Sequence, residues 1–195
     1  ESNGEFILGY FHVGTMFLTT YLGLVFIAMN KFFYPKLAQL SDDETGMQQF
    51  SNQQFQINTI IITPAILFVF AFGKDLLQLL FSKDFIVVYS ILVLGLLSNI
   101  FKGFNYTAGF YLLSKNNFKQ FFLINLISEF LNISLTIFLF KLIGLSGIGL
   151  AVSLNYLLCA CYQYYYTKSK YNFKITFANQ VYFLFSVLAT VSIII

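Results

Sequence analysis

Long apolar stretches separated by a few polar residues recur along the whole chain. Each approaches or exceeds the ~20 residues that cross hydrocarbon as a helix, and none shows the strict alternation of a membrane β-barrel strand. A backbone in lipid satisfies its polar groups only as helix or closed barrel. The pattern therefore predicts an all-α polytopic bundle with about six spans, over 6–34, 58–81, 85–113, 118–140, 145–166 and 178–195. Pro35 is expected to end the first span, leaving 36–56 as a polar, amphipathic connection on the membrane face. Pro64 is expected to kink the second. The remaining loops are so short that consecutive spans should be antiparallel neighbours. Because the chain opens at Glu1 and stops at Ile195 inside an apolar run, it is expected to be a fragment of a longer protein.

Composition supports the same class. Of 195 residues, 58% are hydrophobic and 10% charged, against about 25% charged in a soluble domain. All eleven basic residues are lysines, and a scattered net charge of +3 gives no footprint for nucleic acid. Lysine placement predicts orientation. Lys31, Lys36, Lys115, Lys119, Lys168, Lys170 and Lys174 fall at one end of the spans, and Lys74, Lys83 and Lys141 at the other. The richer end should be cytoplasmic.

Two charges remain inside the apolar runs. Lys102 and Glu129 sit near the middle of the third and fourth spans, about equally far from the turn Ser114–Asn117 that joins them. A lone charge at mid-bilayer costs ~3 kcal/mol on insertion scales. Such a pair is therefore either an ion pair holding two helices together or the lining of a wet cavity, and Glu129 could hold Lys102 until an anionic ligand competes. Around them lie polar stripes: His12, Thr15, Thr19, Gly23 and Asn30 on the first span, Ser98, Lys102, Asn105 and Gly109 on the third, and Asn125, Ser128, Glu129 and Asn132 on the fourth. They imply a shared hydrated interior or a hydrogen-bonded core. Lys102, Glu129, Asn132, Asn105 and His12 are the candidate substrate-binding residues, His12 lying near the outer end of its span.

Other features carry no chemistry. Cys159 and Cys161 should point to different sides of one helix, which disfavours a disulfide or a metal site. Gly147, Ala151 and Asn155, spaced by four, form a small-residue strip for close helix packing. With one histidine and no cluster of metal ligands, no catalytic set is visible, so the chain is not expected to be an enzyme. A membrane glycosyltransferase or polymerase would need a large extramembrane loop with catalytic acids, and the loops here are too short.

Leu8-Gly-Tyr-Phe-His-Val-Gly14 entering a span that ends Phe32-Phe-Tyr-Pro-Lys-Leu37 resembles the polysaccharide flippases of the O-antigen (Wzx) type. These belong to the multidrug/oligosaccharidyl-lipid/polysaccharide exporter superfamily. The span Asn58–Pro64, the turns Phe81–Phe85 and Leu112–Phe118, and Gly144-Leu-Ser-Gly-Ile-Gly149 are similar to that family's corresponding segments. The resemblance implies a transporter of two six-helix lobes, with residues 1–177 supplying most of the C-terminal lobe and 178–195 starting an additional helix. It implies passage of undecaprenyl-diphosphate-linked oligosaccharide across the bacterial plasma membrane by alternating access. Lys102 would then contact the diphosphate, and Glu129 would tune Lys102 or carry a coupling Na+ or H+, with no other cofactor. Membrane lipid, a polysaccharide polymerase and glycosyltransferases would be its associates. The alternative within the same superfamily is a cation-coupled multidrug exporter with its ion at Glu129.

Overall fold

A computed structural model describes residues 2–194, with side chains described for 6–193. The described residues form helices throughout: α1 (Ser2–Met16), α2 (Gly23–Gln39), α3 (Glu44–Leu80), α4 (Tyr89–Gly95), α5 (Leu97–Ser114), α6 (Phe118–Ile143), α7 (Leu145–Tyr171) and α8 (Phe177–Ile194). A π turn, Phe17–Tyr21, joins α1 to α2, and a 3-10 turn, Lys83–Val88, precedes α4. Four stretches are long and apolar enough to cross a membrane: Phe6–Gln39, Glu44–Leu80, Phe118–Ile143 and Leu145–Tyr171. The bent pair α4–α5, with its 3-10 lead-in, makes a fifth. The expected sixth span falls on the shorter α8, and its last residue, Ile195, lies outside the described residues.

Pro35 does not end the first span. The helix continues to Gln39, because Phe33 and Leu37 on either side are fully buried and hold that turn against the bundle. Packing there offsets the lost backbone hydrogen bond, a cost of ~3 kcal/mol in a helix interior. The polar connection expected over 36–56 is corrected as well. From Glu44 onward it forms the first turns of α3, capped by Asp43, whose carboxylate accepts from the Gly46 amide at 2.9 Å. Met47, Ser51, Asn52, Gln54 and Phe55 on these turns are buried. The helix also runs through Pro64 as one element of 37 residues.

The third expected span is broken, by 51° between α4 and α5. At the break the Asn99 amide donates to Leu96 O at 3.1 Å, one residue short of the α register. The Gly95 carbonyl instead accepts from the Ser98 hydroxyl at 2.5 Å. Gly95 has no side chain to keep Leu18 of the π turn away, and a Cβ there would strike that leucine.

The turn between α5 and α6 falls where the sequence places it, with Asn116 in the left-handed region at φ 56°. Yet α5 and α6 touch little beyond their turn, while α7 packs closely against α4, α5 and α6. The small-residue strip accounts for this: Gly147, Gly149, Ala151 and Asn155 are all buried. A Cβ on Gly147 would strike the Leu139 carbonyl, and one on Gly149 the Ile91 carbonyl. So α7 closes onto its neighbours backbone to backbone, and α5 and α6 stand apart on either side of it.

Part of the lysine-rich end is tied together by side-chain bonds. Lys115 Nζ donates to Ser41 O at 2.7 Å, Gln48 to Asn172 O at 3.0 Å and Asn52 to Lys174 O at 2.9 Å. These contacts gather the ends of α2, α5 and α7 with the starts of α3 and α8.

Candidate functional site

The gap between α5 and α6, backed by α7, is a cavity of about 270 Å³. From α5 it receives Lys102, Asn105, Tyr106 and Phe110, and from α6 Phe121, Asn125 and Glu129. Tyr156 and Gln163 of α7 complete it. The break at Leu96 lies less than two turns before Lys102 and sets the direction in which the polar face of α5 points. Gly109 lets α6 approach, since a Cβ there would lie 3.1 Å from the Phe121 ring.

Lys102 is 4% exposed. Its ammonium donates to the Thr19 carbonyl at 3.3 Å and lies 5.8 Å from the Phe26 ring centre, 5.9 Å from Tyr106 and 5.8 Å from Tyr156. Three aromatic faces thus stabilise the cation by their quadrupoles, each by ~0.5–2 kcal/mol. Thr19 belongs to the π turn, where the backbone ladder leaves the α register, a local feature frequent at functional sites. Gly23, one turn on, supplies the space: a Cβ there would sit 3.4 Å from Nζ.

Glu129 lies on the opposite wall, exposed on α6. Its neighbour one turn earlier, Asn125, donates to Phe121 O at 2.7 Å, leaving its own side-chain carbonyl free. Among the described residues Lys102 and Glu129 form no salt bridge; both instead line the one cavity. The cation therefore sits buried against the cavity with no described carboxylate within salt-bridge distance.

Three of the five candidate residues, Lys102, Asn105 and Glu129, come together here. Asn105 is held by a bond from its amide nitrogen to Tyr156 O at 3.0 Å, while its carbonyl is buried with no partner. Gln163, which sequence reading passed over, also has a buried, unpartnered carbonyl. Asn132 lies one turn beyond Glu129, outside the cavity, with its carbonyl buried and unpartnered. His12 is exposed on α1, away from the cavity.

The polar stripes divide between two uses. Ser128 of the fourth span bonds Asn155 of α7, at 3.0 Å from the amide nitrogen, and so joins two helices. Thr15 and Thr19 donate back to carbonyls of their own helix, at 2.8 Å and 2.7 Å. Tyr156 and Gln163 carried no usable sequence signal, since α7 is polar and aromatic over much of its length. Cys159 is buried and Cys161 exposed, and no group of metal-ligating side chains occurs among the described residues.

A larger crevice of about 380 Å³ lies against a different face of α5, between α3, α7 and α8. Phenylalanines 55, 101, 104 and 183 line it, and it offers almost no polar group.

No curated protein and no solved structure matches this chain. Residues 2–90, from α1 to the first turn of α4, match the family model described as polysaccharide biosynthesis protein, a stretch that holds Thr19 and Gly23 but ends before Lys102. Over that stretch the chain is similar to polysaccharide biosynthesis proteins, and it is a polytopic helical membrane bundle.

Proposed function

We propose that this chain is part of a flippase that moves undecaprenyl-diphosphate-linked oligosaccharide across the bacterial plasma membrane for cell-surface polysaccharide. The observation that carries the reading is the state of Lys102: a buried cation, caged by aromatic rings and facing a polar cavity, with no carboxylate against it. An uncompensated cation inside a membrane bundle is costly. It is retained where a ligand supplies the negative charge, and the diphosphate of a lipid-linked sugar has the charge and the location. The match to polysaccharide biosynthesis proteins supports a saccharide cargo. The seven-lysine end would face the cytoplasm, and passage would be transport rather than catalysis.

Lys102→Ala in the full-length protein tests the reading. Surface polysaccharide should be lost while the protein still accumulates in the membrane, and Lys102→Arg should keep a substantial part of export. Normal surface polysaccharide in the alanine variant would overturn the assignment.

A further inference from the structure

The two walls of the cavity are chemically unlike. The α5 side presents the only charge that attracts an anion, the Lys102 ammonium. The α6 side presents the Glu129 carboxylate and the Asn125 side-chain carbonyl, the latter turned from its own helix because the amide nitrogen is tied to Phe121 O. A diphosphate carries no hydrogen-bond donor when fully ionised, and beside Glu129 it would meet a like charge. Whatever lies against α6 must bring donors. Between the walls stand Phe121 on α6 and Phe110 on α5, whose negatively polarised faces suit the C–H edges of a sugar ring.

We infer that Asn125 and Glu129 form a saccharide-reading subsite that accepts hydroxyl or amide hydrogens of the sugar next to the diphosphate, and that they determine which glycan the cavity takes. This rests on the flippase reading above. The lipid-linked sugar lies across the cavity, its phosphate toward Lys102 and its ring toward α6. Asn125 was part of a polar stripe in the sequence but not a candidate for binding. Glu129 takes the role of a sugar ligand instead of a partner for Lys102.

The test uses the full-length protein in lipid nanodiscs and two probes: lipid-linked oligosaccharide extracted from its source cells, and bare undecaprenyl diphosphate. Wild-type protein should bind the glycosylated probe more tightly. Glu129→Gln should weaken that probe about fivefold, as a charged acceptor becomes neutral, yet strengthen the bare diphosphate by removing a repulsion. Asn125→Leu should weaken only the glycosylated probe, again about fivefold. Of the described residues of α6 only Ile124 is buried, so neither substitution disturbs a packed core.

Parallel shifts for both probes, or no shift for either, would overturn the subsite. In that event loss of both probes in Lys102→Ala would show the flippase reading intact. Wild-type protein that binds neither probe would overturn the flippase reading itself, and the subsite with it.

Discussion

Side-chain amides bridge the helices of this bundle in several places, and at two of them they are used in opposite ways. Where α8 meets α3, Asn52 spends its whole side chain. It donates to Gln48 O and Lys174 O at 2.9 Å each, and accepts from the Thr176 amide at 2.9 Å and from Asn179 at 3.0 Å. Further along the same seam Thr63 donates to Ser186 at 2.8 Å. At the α5–α6–α7 cavity, residues of the same kind are left wanting: the Asn105 and Gln163 carbonyls have no partner, and Lys102 has one carbonyl where it could donate three bonds. Satisfied polar groups in an apolar medium hold helices together, whereas unsatisfied ones cost free energy until something arrives to complete them. The seam is satisfied within the bundle, and on the proposed reading the cavity is completed by its ligand.

Substituting the seam residue should have the largest effect on folding. Asn52→Leu removes the acceptor of the Thr176 amide and one of the two acceptors of the buried Asn179, and frees the Gln48 and Lys174 carbonyls, at a cost of ~1–3 kcal/mol. Thermal unfolding in nanodiscs would show a melting temperature several degrees lower. An unchanged melting temperature would mean the seam holds nothing.

Gly149→Ala comes next. Its new methyl group meets the backbone carbonyl of Ile91, which has no rotamer to give. Overpacking of this kind costs ~1–3 kcal/mol, and cross-linking between cysteines placed on α4 and α7 should report the separation. A variant as stable as the parent would show that α7 does not rely on backbone contact there.

Much of the helical scaffold, none of the Asn52 seam and half of the cavity were legible in the sequence. Helix class and turn positions follow from apolar run length and from Ser114-Lys-Asn-Asn117, because those signals are local. Gly147-x-Gly149 and Ala151 announced close packing for the same reason, as the need for a small residue is written at the residue itself. The length of the first span past Pro35, and the first turns of α3, were misread. Burial of Phe33, Leu37, Met47 and Phe55 by distant elements outweighs the local preference of proline and of a glutamine-rich stretch. The break at Leu96 rests on one serine hydroxyl answering one carbonyl, and the π turn at Phe17–Tyr21 has no composition of its own.

The site was half visible. Lys102 and Glu129 stood out because a charge in an apolar run is rare. Whether they pair could not be read from their spacing, since α7 inserts its bulk and keeps α5 and α6 apart. Tyr156 and Gln163 arrive from that third helix, at a sequence distance no local pattern encodes.

Gly23→Val should sharpen the comparison by a smaller margin. The added methyl groups press on the Lys102 ammonium, in contact range for a single Cβ at 3.4 Å. Export should fall several-fold with a loss of stability near ~1 kcal/mol. An export rate equal to the parent's would show that the position of Lys102 is not critical. His12→Ala is the smallest: an exposed side chain away from the cavity should change stability by less than ~0.5 kcal/mol and leave export within twofold, and a larger loss would require a role for α1 beyond packing.

Lys102→Met, measured for both melting temperature and export in the full-length protein, tests most directly whether the cavity is left unsatisfied for a ligand. Methionine fills similar space among Phe26, Tyr106 and Tyr156 without bringing an unpaired charge into the bundle. The melting temperature should hold or rise while surface polysaccharide disappears. A lower melting temperature with export intact would contradict this, and would make Lys102 a structural residue like Asn52.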